Sequence, residues 1–148
     1  VIGNDNAAHV QIGRAAELTG LSIRTLRHYE EVGLVTPSAR SEGGFRLYSR
    51  DDIDRLLVIR RMKPLGFTLE QMAQLLAALD SLASSEAGAG ARRAAAEVLA
   101  EFKSSAQDAV DRLRVQLEYA EELTGLLGEH VANARRSDEP GASAVRHA

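Results

Sequence analysis

The chain has 148 residues, 45% of them hydrophobic and only 4% aromatic, with no Trp, no Cys and a net charge of −3. That suits one modest domain plus an extension with a core of Leu, Ile, Val and Ala, and the missing cysteines exclude disulfides, thiolate metal sites and thiol-based redox sensing. No apolar run approaches the roughly 20 residues of a membrane span, and the first residues lack a secretory pattern, so a cytoplasmic protein is expected.

Residues 1–9 show no periodicity and are expected as a loose arm. A first short helix is predicted from Gly13 to Thr19, with Ala15, Ala16 and Leu18 as packing residues and Gly20 as its stop. Only Leu21 and Ser22 separate it from a second helix, which makes a tight helix-turn-helix. Ser22 is a good N-cap for that helix, and Gly33 closes it. At about 100° per residue, Ile23, Leu26 and Glu30 share one side, while Arg24, Arg27 and His28 share the other. A helix so short must dock its apolar side on neighbours, which holds the arginines outward on a rigid support. Two guanidinium forks behind a helix N-terminus suit a major-groove reading helix, able to reach base edges or phosphates.

Leu34 to Pro37 reads as extended, Ser41-Glu42-Gly43-Gly44 as a turn, and Phe45 to Tyr48 as a strand, together a small hairpin or wing. Ser49 to Asp52 resembles a capping box, opening a helix with Ile53, Leu56, Ile59 and Met62 inward that ends near Lys63. Within it, Arg60 falls on the apolar arc and is expected to snorkel or to pair with Glu30 or Glu17. Thr68 to Gln71 repeats the start signal ahead of Met72, Leu75, Leu76 and Leu79. The helix-turn-helix domain is thus expected over 10–80, a Ser/Ala/Gly connector over 81–90, one long helix over 91–134 and a disordered tail over 135–148. Along the long helix Val110, Leu113, Leu117, Ala120, Thr124, Leu127 and Val131 alternate by three and four, a heptad seam that Gly125 and Gly128 weaken toward its end. Charge is uneven but mild: Val10 to Leu79 holds ten Lys and Arg against eight Asp and Glu, and the remainder eight against thirteen. A few placed arginines, not a basic cloud, would therefore meet phosphate. The histidines are scattered without metal spacing, and no nucleophile, base and orienter stand together, so neither a metal site nor an enzyme is expected.

Four blocks in order, Leu26-Arg27-His28-Tyr29-Glu30, Gly33-Leu34-Val35, Gly44-Phe45-Arg46-Leu47-Tyr48 and Leu65-Gly66-Phe67-Thr68-Leu69, resemble the MerR family of transcription regulators. The resemblance is close over Val10 to Leu79 and extends to the long helix in architecture. It implies a mostly α fold: a winged helix-turn-helix with a small β-hairpin wing, followed by a coiled-coil dimerisation helix. It implies that Arg24 and Arg27 contact the major groove, that Tyr29 lies near phosphate, and that Arg46 and Tyr48, with Arg40, approach the flanking backbone from the wing. Thr25 and His28, on the same helix, complete the DNA-contact set. Val110, Leu113, Leu117, Ala120, Leu127 and Val131 form the dimerisation set, expected to pair with a second copy as an antiparallel coiled coil. Family membership further implies a pseudo-palindromic promoter site, bent and untwisted to control RNA polymerase. No cofactor is implied. Metal-sensing members use cysteines that this chain lacks, and drug-binding members append a domain for which only a short polar tail stands here, so the effector is left open. An architectural or excisionase-like winged-helix protein and a protein-binding adaptor are the competing readings.

Overall fold

The computed structural model describes residues 9–141. It forms two compact units, one through Ser105 and one from Ala106. The elements are β1 (Val10–Gln11), α1 (Ile12–Thr19), α2 (Ile23–Glu31), β2 (Ala39–Arg40), β3 (Arg46–Tyr48), α3 (Arg50–Met62), a 3-10 turn (Lys63–Leu65), α4 (Leu69–Ala83) and α5 (Ala89–Asp138). The fold class is as expected: mostly helical, with a small antiparallel wing and a long C-terminal helix. Among the described residues no helix is long and apolar enough to cross a membrane.

Each helix start follows local chemistry. The Ser22 hydroxyl accepts from the Thr25 N–H at 3.0 Å, capping α2. Ser49 with Asp52, and Thr68 with Gln71, form complete capping boxes at the heads of α3 and α4. Between α1 and α2, Gly20 takes a left-handed φ of +68°, and its N–H donates to the Ala16 carbonyl at 2.8 Å. A side chain there would be strained and would also sit 3.6 Å from the Arg60 guanidinium. Arg60 thus lies over Gly20, and among the described residues it has no acid partner, so of the two expected arrangements the pairing with Glu30 or Glu17 is not the one found.

The core of the first unit gathers Ala15, Leu26, Tyr29, Tyr48, Leu56 and Ile59, closed by Met62, Met72 and Leu76. Phe102, on the first part of α5, packs against it, with its ring edge-on to Phe67 at 5.7 Å. Leu18 does not join: it is 43% exposed, and Thr19 is fully buried in its place. At about 100° per residue the inward arc of α1 runs through Ala15 and Thr19, leaving Leu18 on its flank. The Thr19 hydroxyl tolerates burial because it donates to the Ala15 carbonyl at 2.7 Å and accepts from the Leu21 N–H. Leu79 also stays partly open, lining a hollow of about 370 Å³ between α3 and α4.

The wing is larger than a hairpin. Its strand order is β1-β3-β2, with Val10 opposite Tyr48 and Ala39 opposite Leu47, all antiparallel. At the tip the Gly44 N–H donates to the Ser41 carbonyl at 2.9 Å, and Gly44 adopts φ +80°. The connector shrinks to residues 84–88, because α4 runs to Ala83 and α5 starts at Ala89. From Ala106 the second unit is the remainder of α5, which passes Gly125 and Gly128 without a break. It continues to Asp138, into the tail expected as disordered, where Arg135 and Arg136 oppose the negative end of the helix dipole. The expected arm up to residue 8 and the tail from residue 142 lie outside the described residues.

Candidate nucleic-acid interface

Helix α2 turns Leu26 and Tyr29 inward and leaves Arg24, Arg27 and His28 exposed. Among the described residues, neither the Arg24 nor the Arg27 guanidinium has a hydrogen-bond or ion-pair partner. Their five-donor forks are therefore unspent. Thr25 is half-buried, its hydroxyl 2.8 Å from that of Ser22, so it serves the helix cap first. Arg24, Thr25 and His28 line a hollow of about 410 Å³ together with Tyr29, Lys63, Phe67 and Met72.

Tyr29 is only 3% exposed, and burial raises its hydroxyl above the ordinary value of 10.0. It belongs to the core and also lines that hollow. Tyr48 is a correction. It is 1% exposed, and its hydroxyl is buried without a partner among the described residues, so it is not poised to meet DNA from the wing. The reason is strand periodicity: Arg46 and Tyr48, two apart, share one face of β3, and that face turns toward the core.

The same geometry brings Arg46 to Glu30 of α2, where its Nε donates to Oε2. This bond raises the guanidinium above its ordinary value. Arg40 donates through Nη2 to Glu30 Oε1 at 2.9 Å and through Nη1 to the Gly44 carbonyl at 3.1 Å. One carboxylate on α2 thus holds both wing arginines. Phe45, beside them at the tip, is 61% exposed, its ring 3.0 Å from where a Gly43 side chain would begin.

The sequence did not point to Lys63 lining that hollow, to the exposure of Phe45 or to the pairing of Glu30. Lys63 carried a faint signal as the cation just before Pro64, where a helix must stop. The pairing of Glu30 with arginines ten and sixteen residues away carried none. On α5, Leu113, Leu117, Leu127 and Val131 are all about half exposed, as are Val115, Leu123 and Leu126 beside them. Val110 is half-buried and Ala120 exposed. Among the described residues no group of His, Asp and Glu is arranged to hold a metal ion.

Two family descriptions match this sequence in overlapping stretches: the MerR HTH family regulatory protein over residues 10–79, and the MerR DNA-binding region over residues 53–120. The chain belongs to the MerR family. Over 70 residues this MerR chain is 43% identical to the mercuric resistance operon regulatory protein of Bacillus cereus, a stretch that is 47% of the chain and 53% of that protein. Over 65 residues it is 46% identical to the HTH-type transcriptional activator TipA of Streptomyces coelicolor, covering 44% of the chain and 26% of TipA. The chain thus spans about half the length, or less, of these curated relatives. Among solved structures, a MerR family regulator from Listeria monocytogenes aligns over 88% of this chain and 92% of its own, with TM-score 0.61 and 27% identity. A MerR family regulator lacking the sensor domain and bound to promoter DNA shares the fold at TM-score 0.57 and 21% identity, over 90% of this chain and 96% of its own.

Proposed function

We propose that this chain is a homodimeric, sequence-specific transcription regulator, reading a pseudo-palindromic promoter site and distorting it to control RNA polymerase. The observation that carries the reading is the pair of unspent guanidinium groups, Arg24 and Arg27, on a capped helix beside a wing. Donors already satisfied inside the protein would have to be released before they could bind a base, whereas these need no release. Arg24, Arg27 and His28 would meet the major groove, with Arg46 on the flanking backbone. The relatives' names, a regulatory protein and a transcriptional activator, support the same reading for the matched region.

The long helix supports pairing. Leu113, Leu117, Leu127 and Val131 would be covered by a second copy in an antiparallel coiled coil, at roughly 25 cal/mol for each Å² of apolar surface removed from water. Two heads on one spacer make the second contact effectively intramolecular, and a two-fold axis asks for a pseudo-palindrome. Selection of bound duplexes from a random pool, followed by sedimentation of the protein with and without the selected site, tests the proposal. Enrichment of inverted repeats by a dimer is expected. A monomer that enriches no sequence would overturn it. The double variant Leu113→Asp with Leu117→Asp should keep its heads folded while losing dimer and site together.

A further inference from the structure

Both oxygens of Glu30 are taken, each by a different wing arginine, but the two arginines are engaged differently. Arg46 gives Glu30 only its Nε, and among the described residues its two terminal nitrogens bond to nothing. Arg40 gives one terminal nitrogen to Glu30 and the other to the Gly44 carbonyl at the wing tip. We propose that Glu30 is a positioning residue for the wing, presenting the Arg46 terminal nitrogens to a DNA phosphate while holding Arg40 back as an internal brace. The inference rests on the DNA-binding reading above.

The chemistry follows from the shape of the guanidinium. Carboxylate and phosphate edges compete for the same donor fork, so an arginine spent on one is withheld from the other. Bonding through Nε fixes the plane of the Arg46 head yet leaves its outer edge open to a second anion. Arg40 instead has both of its terminal nitrogens engaged, one N–H of each already given to Glu30 or to the Gly44 carbonyl, which ties its head to the wing tip. The Glu30 side chain is 19% exposed against 51% for Arg40 and 30% for Arg46, so the carboxylate is the most buried of the three groups. The trio carries one net positive charge, and the geometry delivers it through one residue. Glu30 therefore limits how many phosphates the wing can engage and ties the wing's angle to the reading helix.

The test measures affinity of the full chain for a random-sequence duplex by fluorescence anisotropy across a salt series. Arg46→Ala should flatten the slope of log affinity against log salt by about 0.9, one phosphate's worth. Arg40→Ala should leave that slope where it is. Glu30→Gln should steepen it by about 0.9, because Arg40 is set free, and should do nothing in an Arg40→Ala background. Equal flattening by Arg40→Ala and Arg46→Ala, or no change with Glu30→Gln, would overturn the proposal. If the unmodified chain shows no salt dependence at all, the DNA reading itself fails, which is a separate outcome. Should Glu30→Gln not fold, the unmodified chain still decides the matter through the NMR signal of the Arg46 Nε–H. Saturating duplex should leave that proton in its carboxylate bond. Its release to solvent would overturn the assignment.

Discussion

Asp52 and Ser38 meet across the base of the wing, fourteen residues apart: the Asp52 carboxylate accepts from the Ser38 N–H at 3.0 Å and from its hydroxyl at 2.6 Å. The same oxygen accepts from the Ser49 N–H at 2.8 Å as part of the α3 capping box. One nearly buried carboxylate therefore starts a helix and pins the segment entering β2. Asp52→Ala removes all three bonds and is expected to cost about 1–3 kcal/mol of stability. Urea unfolding monitored by circular dichroism checks this; an unchanged midpoint would mean that the tether contributes nothing.

Tyr48→Phe is expected to do no harm. The lost hydroxyl has no partner among the described residues, and an unpaired buried donor is a liability. Stability should hold or rise by up to about 1 kcal/mol, and affinity for duplex DNA should not fall. A folded Tyr48→Phe chain with weakened DNA binding would return the hydroxyl to the interface.

Alkaline pH offers a second measure of the two buried phenols. Burial raises Tyr29 and Tyr48 above their ordinary value of 10.0, with the charge of Glu30 adding to the effect at Tyr48. Unfolded tyrosines give up their protons first, so the stability contributed is complete below pH 10.0 and is lost as pH climbs through the raised folded values. The urea midpoint should drop across that window, and less so in Tyr48→Phe.

Arg24→Ala and Arg27→Ala should each weaken binding to a selected site by about 1–3 kcal/mol and leave the melting temperature alone. Their side chains hold nothing inside the protein, whereas Arg46→Ala also strips a partner from Glu30. A folded double variant with full affinity would remove α2 from the interface.

What the sequence disclosed is what lies within one turn of helix. Ser22, Ser49 with Asp52, and Thr68 with Gln71 place cap and acceptor three residues apart, so pattern and contact coincide. The exposure of Arg24 and Arg27 likewise follows from a single helical projection. The wing did not yield in that way. Whether Arg46 faces solvent or Glu30 depends on which side of β3 meets α2, and that is decided by packing between elements distant in the chain. The burial of Tyr48, on the same face of β3 as Arg46, is decided by the same packing. Strand β1 has only two residues, too few for any alternation, and exists because β3 had a free edge to offer. Gly125 and Gly128 lower helix propensity, yet the long flanking stretches of good formers carry α5 past them.

That two-residue strand also sets an order of assembly. Val10 and Gln11 lie before both helices of the helix-turn-helix, while their partners Tyr48 and Leu47 lie after them. The ladder can close only once α1 and α2 have folded the intervening chain back on itself, because loop-closure entropy is spent before the pairing returns anything. The hairpin of β2 and β3 needs no such closure. The wing should therefore mature in two stages, a local hairpin first and the outer strand last. Amide exchange at the β1–β3 rungs would then report the docking of α1 and α2 themselves.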